Sequence, residues 1–117
     1  MSTTDDYDSP WKDVLELYFE EFIAFFFPDI YRAIDWLQGY QNRDTELQQI
    51  MRDAKLGKRL ADKLMVVWQH NGEPQWVFIH IEIQGDYDSG FAKRMYIYYY
   101  RLYDRYDQPI VSLAVTV

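Results

Sequence analysis

The sequence contains no cysteine, and this absence excludes disulfide bonds and thiolate metal sites. Long apolar runs are missing too. The longest covers only Phe22 to Phe27, whereas a membrane-spanning helix needs about 20 residues. Residues 1–9 contain three aspartates and no apolar or basic run, so they lack the features of a secretory signal. We therefore expect a soluble, cytoplasmic protein with a short, flexible, acidic N-terminus.

Cationic residues are in deficit, with 12 Lys and Arg against 19 Asp and Glu and a net charge of −7. This balance argues against broad electrostatic binding of nucleic acid. The negative charge argues less strongly against a metal-dependent nuclease, because the acidic site of such an enzyme binds cations, and these cations bind the phosphate. Glycine-rich phosphate loops and nucleophile-elbow motifs are absent, so nothing favours a small-molecule enzyme.

What the sequence does contain is enough apolar material for one core. Of its 117 residues, 49% are hydrophobic and 19% are aromatic, which predicts a single domain over residues 1–117. The chain ends within a predicted strand, so we expect the domain to be truncated at its C-terminus.

The N-terminal part predicts two helices. Ser9 can cap the first and Pro10 suits its first turn, and Pro28 either ends this helix or re-aims it. A second helix is predicted to stop at Gly39, with a polar connector over residues 40–44. Residues 46–56 favour a helix, with short strand pairing around 47–50 as the alternative. The apolar positions with helical spacing are Leu15, Phe19, Phe22 and Phe26, then Ile30, Ala33, Ile34 and Leu37, then Leu47, Ile50, Met51 and Ala54.

A β-hairpin is predicted from Leu60–His70 and Gln75–Gln84, with Asn71-Gly72 as its turn. One face of the second strand is aliphatic, and the other carries aromatic residues followed by His80, Glu82 and Gln84. A long helix over Phe91–Tyr106 and a strand over Ile110–Val117 then imply a parallel crossover. The predicted fold class is α/β, with N-terminal helices packed on a small mixed sheet.

Two carboxylates mark the candidate site. A turn at Asn71-Gly72 places Asp62 across from Ile81 to Ile83, within a residue of Glu82. Carboxylates this close repel each other unless a cation lies between them, and Mg²⁺ favours one or two carboxylates with water and phosphate. Gln84 can orient a water or a phosphate oxygen. This pattern suits metal-assisted hydrolysis of a phosphodiester.

The alternative for Asp62 and Glu82 is ordinary solvation or salt bridging near strand ends, with Lys58, Arg59 and Lys63 as nearby partners.

In context, Asp62 and the segment Ile81-Glu82-Ile83-Gln84, followed by a long helix and a strand, resemble the PD-(D/E)XK nuclease superfamily. The closest resemblance is to its recombination-promoting nuclease or transposase-like branch, especially bacterial (notably cyanobacterial) members, in which glutamine often replaces the lysine. It extends from Asp8 to Val115 and includes 8–12 (DSPWK), 25–28 (FFFP), 61–64 (ADKL), 80–85 (HIEIQG) and 91–95 (FAKRM).

The resemblance implies a restriction-endonuclease-like core and a Mg²⁺- or Mn²⁺-dependent DNA endonuclease linked to recombination or transposition. Asp62 and Glu82 would bind the metal with the Ile83 carbonyl, and Gln84 would occupy the lysine position. Because glutamine is neither a cation nor a general base, water activation would depend on the metal and Glu82. The alternative is a catalytically inactive nuclease-fold module that binds partners or self-associates. Such folds usually have a strand before the Asp strand, which the sequence does not locate.

Further residues are accessory candidates. Glu16 and Glu20 are one helical turn apart and could add a carboxylate, although surface solvation is the alternative. His80 could bind metal or transfer protons, or pack among Trp76 and Phe78.

The long helix offers candidate phosphate contacts at Arg94, Tyr98 and Arg101, continued by Arg105, or else these arginines form salt bridges. The clustered tyrosines are interpreted mainly as core, with an aromatic surface for homo-oligomer formation as a further option.

Overall fold

The computed structural model describes residues 13–54, 62–82 and 91–116. Its element order is α1 (Phe19–Phe26), α2 (Pro28–Ala33), a 3₁₀ turn (Trp36–Gln38), β1 (Gln41–Asn42), α3 (Asp44–Ala54), β2 (Lys63–Trp68), β3 (Pro74–Glu82), α4 (Phe91–Tyr106) and β4 (Ile110–Thr116). Residues 13–17 are also helical and lead into α1. The helix start predicted at Ser9-Pro10 and the residues Ile83 and Gln84 lie outside the described part.

The strands form one mixed sheet of four in the order β1-β2-β3-β4. Strands β1, β2 and β3 pair antiparallel, and β3 pairs parallel with β4. The predicted α/β class, the hairpin and the parallel strand reached through a helix are therefore confirmed. The short strand β1 lies in the segment interpreted as a connector, and it precedes the strand next to Asp62.

Helices cover both faces of the sheet. On one face, the segment 13–17 and α1 pack on the aliphatic side of β3, through buried side chains that include Leu15, Phe19, Ile23, Val77 and Ile79. On the other face, α3 and α4 pack on Leu64, Val66, Trp76 and Phe78 through Leu47, Ile50, Tyr98 and Leu102. A strand buried on both sides is expected to be apolar on both, as β3 is over most of its length.

The second N-terminal helix is shorter than predicted. Pro28 is the first residue of α2, and the fixed φ of proline suits the first turn of a helix. The helix nevertheless ends at Ala33. Ile34 then forms a β-bridge with Gln69, and the Asp35 N–H donates to the Trp68 carbonyl at 2.8 Å. Backbone pairing with the hairpin therefore replaces the last predicted helical turn. Leu37, whose spacing placed it on the apolar face of the predicted helix, is 99% exposed.

The hairpin loop includes His70, which the prediction placed in the first strand. The Gln69 N–H donates to the Glu73 carbonyl at 2.9 Å, so the loop consists of His70, Asn71 and Gly72. Gly72 has a φ of +88°, the left-handed conformation that three-residue hairpin loops use at a glycine. Asn71 caps the loop by accepting from the Glu73 N–H at 2.9 Å. This loop sets the register of the whole hairpin.

No helix in the described ranges is both long and apolar enough to cross a membrane.

Candidate functional site

The register places Asp62 opposite His80, which corrects the predicted pairing with Ile81 to Ile83. Lys63 pairs with Ile79 and Leu64 pairs with Phe78, so extending this register by one residue puts Asp62 opposite His80. The predicted register kept His70 in the first strand, and its position in the loop shifts every pair of partners. Glu82 ends β3, two residues beyond His80, where its backbone pairs with Thr116.

Asp62 and His80 form a buried side-chain pair. Their side chains are 0% and 2% exposed, and His80 Nδ1 contacts Asp62 Oδ1. When the carboxylate is ionised it can only accept, and the Nδ1–H tautomer of His80 then donates this hydrogen bond. The imidazole thus holds one carboxylate oxygen in a fixed orientation. His80 is therefore a direct partner of Asp62, and it shares the sheet face of Phe78.

Lys63, a possible salt-bridge partner of the site carboxylates, is engaged elsewhere. It is 1% exposed, and its ammonium contacts Glu16 and lies 2.7 Å from Asp44 Oδ2. The other Asp44 oxygen, Oδ1, accepts from the Leu64 N–H at 3.0 Å. This Lys63 network, defined as Lys63, Glu16 and Asp44, ties the N-terminal helical segment and the start of α3 to the start of β2.

The electrostatics of the Lys63 network favour a charged lysine. Burial lowers the pKa of Lys63, but the hydrogen bonds from its ammonium to Asp44 and Glu16, with their negative charge, outweigh burial and raise the pKa above its ordinary value. The cation is therefore retained at neutral pH inside an apolar strand. Because the network holds the residue next to Asp62, it fixes the backbone from which the Asp62 side chain projects.

The accessory acids of the first helix contact other side chains. Glu16 binds Lys63, and Glu20 accepts a hydrogen bond from the Tyr31 hydroxyl at 3.3 Å. Desolvation and the nearby Glu20 carboxylate raise the pKa of Tyr31. The surface solvation considered for both acids is thus replaced, at least in part, by specific contacts.

The candidate phosphate contacts predicted on the long helix do not all face solvent. Tyr98 is 1% exposed and meets the Phe78 ring edge to face, with centroids 5.5 Å apart and an interplanar angle of 88°. It is therefore a packing residue, which corrects its prediction as a substrate contact. Arg101 is exposed. The side chains of Arg94 and Glu82 lie outside what the structure describes.

Sequence reasoning named His80 and Glu16 as candidates but missed their pairing with Asp62 and Lys63, and it missed Asp44 altogether. A lysine in the otherwise apolar run Lys63–Val67 is a signal for a buried, paired cation, but its partners lie 19 and 47 positions away and no local pattern identifies them. Across residues 13–54, 62–82 and 91–116, no group of three or more histidine or acidic side chains is placed to hold a metal ion.

Comparison of this chain with protein-family models, with curated proteins and with solved structures gave no match in any of the three cases.

Proposed function

We propose that this chain is a metal-dependent nuclease domain that hydrolyses phosphodiester bonds of DNA, in recombination or transposition. The observation that carries the proposal is the convergence of two acidic positions at one end of a hairpin. Asp62 precedes β2 and Glu82 ends β3, and antiparallel pairing brings these two ends together. Strand alternation predicts the same sheet face for Asp62, His80 and Glu82.

The order of elements also supports a nuclease-like core. The resemblance described above implies a strand before the Asp strand, and β1 occupies that position, antiparallel to β2. A hairpin, a long helix and a parallel strand follow. Fold-level likeness does not by itself establish an activity, so the proposal depends on the two carboxylates.

The residues at this edge fit Mg²⁺ or Mn²⁺ in their chemistry. Carboxylate and carbonyl oxygens are the ligands that these ions prefer, and Asp62, Glu82 and the Ile83 carbonyl would provide them. A hydrogen-bond donor behind a ligating carboxylate is the usual support for such a site, and His80 supplies that donor to Asp62. When bound, the metal supplies a water of lowered pKa and offsets the charge that develops on the phosphate.

The remaining steps, which are orienting the metal ligands, accepting a proton and positioning the water, would fall to side chains of this chain. His80 orients the Asp62 carboxylate, and the Lys63 network fixes the strand from which Asp62 projects. Glu82 would accept a proton from the attacking water. Gln84 would position that water, or a phosphate oxygen, through its amide group.

A second candidate function is binding without catalysis. The observation in its favour is that Asp62 is 4% exposed and already bonded to His80. A carboxylate held in this way also suits a purely structural pair. Glutamine at the lysine position points in the same direction, because it removes a cation from the site.

DNA cleavage distinguishes the two functions. Supercoiled plasmid and single-stranded DNA are incubated with Mg²⁺ or Mn²⁺ and the wild type, Asp62→Asn, Glu82→Gln or Glu73→Gln. Glu73 is an exposed acid at the opposite end of the hairpin, so Glu73→Gln is the matched control. We expect both site variants to lose about 100-fold or more in cleavage rate, since several kcal/mol of transition-state stabilisation are removed, and the control to retain wild-type activity.

If both site variants cleave DNA as fast as the wild type, Asp62 and Glu82 do not form the catalytic site. A wild type that shows no cleavage with either metal would favour the binding function.

A further inference from the structure

The outer surface of α4 carries a ridge of exposed tyrosines. Tyr96, Tyr99, Tyr100 and Tyr103 are between 39% and 66% exposed, and their i, i+3, i+4 and i+7 spacing places them on one side of the helix. The rings of Tyr99 and Tyr103 are nearly parallel, at 18° with centroids 6.3 Å apart. We call these four residues the tyrosine ridge. It corrects the interpretation of the clustered tyrosines as mainly core, which holds for Tyr98 alone among residues 96–100.

The helix that presents the tyrosine ridge is cationic, although the chain is acidic. It contains Lys93, Arg94, Arg101 and Arg105 but only one acid, Asp104. Lys93 lies three and seven positions before Tyr96 and Tyr100, so helical spacing places it in line with the ridge. Lys93 and Arg101 are exposed. Positive charge is thus concentrated on the helix that carries the tyrosine ridge.

Exposed aromatic rings beside cationic side chains are the features that bind single-stranded nucleic acid. Exposed aromatic rings stack on bases, and neighbouring cations bind the phosphates that link them. A duplex is a poorer match because its base faces are already stacked on one another, and the negative net charge repels a polyanion that offers phosphates alone. A second copy of the chain is also a poorer match. A two-fold interface would place the same cationic helix against itself, with like charges opposed.

We propose that the tyrosine ridge and the cations beside it form a binding surface for single-stranded nucleic acid. From Tyr96 to Tyr103 the helix rises about 10 Å, which spans about three stacked nucleotides at 3.4 Å each. The opposite side of α4 packs through Tyr98 on Phe78, and His80 follows on the same face of β3. As the substrate surface of a nuclease, this inference rests on the proposed function and specifies single-stranded DNA as the substrate class.

Binding is measured by fluorescence anisotropy, with a labelled 12-nucleotide oligothymidylate and a duplex of equal length, at low salt and with EDTA to prevent cleavage. We expect the wild type to bind the single strand at least about tenfold more tightly than the duplex. The double variant Tyr96→Ser/Tyr100→Ser should bind it at least about fivefold more weakly, because stacking is lost. The double variant Tyr96→Phe/Tyr100→Phe, which keeps both rings, should bind like the wild type.

Tyr18→Ser is the matched control, because Tyr18 is 56% exposed and lies among the helices on the opposite sheet face. Its affinity should equal that of the wild type. Equal binding of duplex and single strand, or no effect of the double serine variant, would overturn the proposal. So would a wild-type dimer, seen by sedimentation velocity, that the double serine variant dissociates, since the ridge would then bind a second copy.

The two proposals fail in distinguishable ways. If Asp62→Asn and Glu82→Gln bind the single strand normally but the wild type never cleaves DNA, the binding surface stands and the nuclease function fails. If cleavage depends on Asp62 and Glu82 while the serine variant binds and cleaves single strands as the wild type does, the binding surface is overturned and the nuclease function stands.

Discussion

Replacing Lys63 with alanine is expected to lower the free energy of unfolding by about 3 kcal/mol, because removing one partner of a buried ion pair leaves uncompensated charge. Lys63 is the cation of a network with two acids, Glu16 and Asp44. We place the effect at the low end of the usual range because Glu16 is 55% exposed and regains water. Urea unfolding measures the change, and Lys93→Ala, which removes an exposed lysine from α4, should be near neutral.

A third variant and the pH dependence test the cause of this effect. Lys63→Met keeps most of the buried stem, so its difference from Lys63→Ala reports packing and its difference from the wild type reports charge. Because the pKa of Lys63 is raised in the folded state, the folded protein retains the proton longer than the unfolded chain does. From neutral pH up to the ordinary lysine value of 10.5, the stability advantage over Lys63→Met should therefore stay constant, and above that value it should shrink. An advantage that grows as the pH rises from 8 to 10 would mean that burial dominates and lowers the pKa of Lys63.

Replacing Tyr98 with alanine is expected to cost roughly 3–5 kcal/mol, the usual penalty for removing a buried aromatic side chain. Tyr98 joins α4 to the sheet through its edge-to-face contact with Phe78 and belongs to the cluster that includes Leu102 and Leu64. Chemical denaturation measures the loss, and Tyr100→Ala, at an exposed neighbour, should change stability by less than about 0.5 kcal/mol.

A double-mutant cycle with Phe78→Ala tests the contact itself. The coupling between Tyr98 and Phe78 should be about 0.5–1.5 kcal/mol, as for other aromatic pairs. A Tyr98→Ala variant with unchanged stability would contradict a core role and return Tyr98 to the surface as a candidate substrate contact.

Elements with strong periodicity could be predicted from the sequence. Helix α4 has the predicted bounds because a long stretch without proline or glycine repeats its apolar positions at helical spacing. Strand β3 was predicted from its alternation and β-branched residues. Strand β1, only Gln41–Asn42, has no such pattern, since a two-residue strand exists only through its pairing with β2.

Two other errors have different physical causes, a contact between distant segments and the choice between two hairpin loops. Pairing of Ile34 with Gln69 ended α2 before Leu37, against the local helical pattern. The hairpin register depended on whether His70 belonged to the strand or to the loop, and both options suit a turn at Asn71-Gly72. That single residue decided that Asp62 faces His80.

The central claim is that Asp62 and Glu82 together bind a divalent metal at the edge where β2 begins and β3 ends. Calorimetric titration with Mn²⁺ tests it most directly, because it requires no knowledge of the substrate. The account predicts binding by the wild type and by Glu73→Gln, with affinity at least about tenfold weaker in both Asp62→Asn and Glu82→Gln. A wild type that binds no Mn²⁺, or binding that survives both substitutions unchanged, would contradict it.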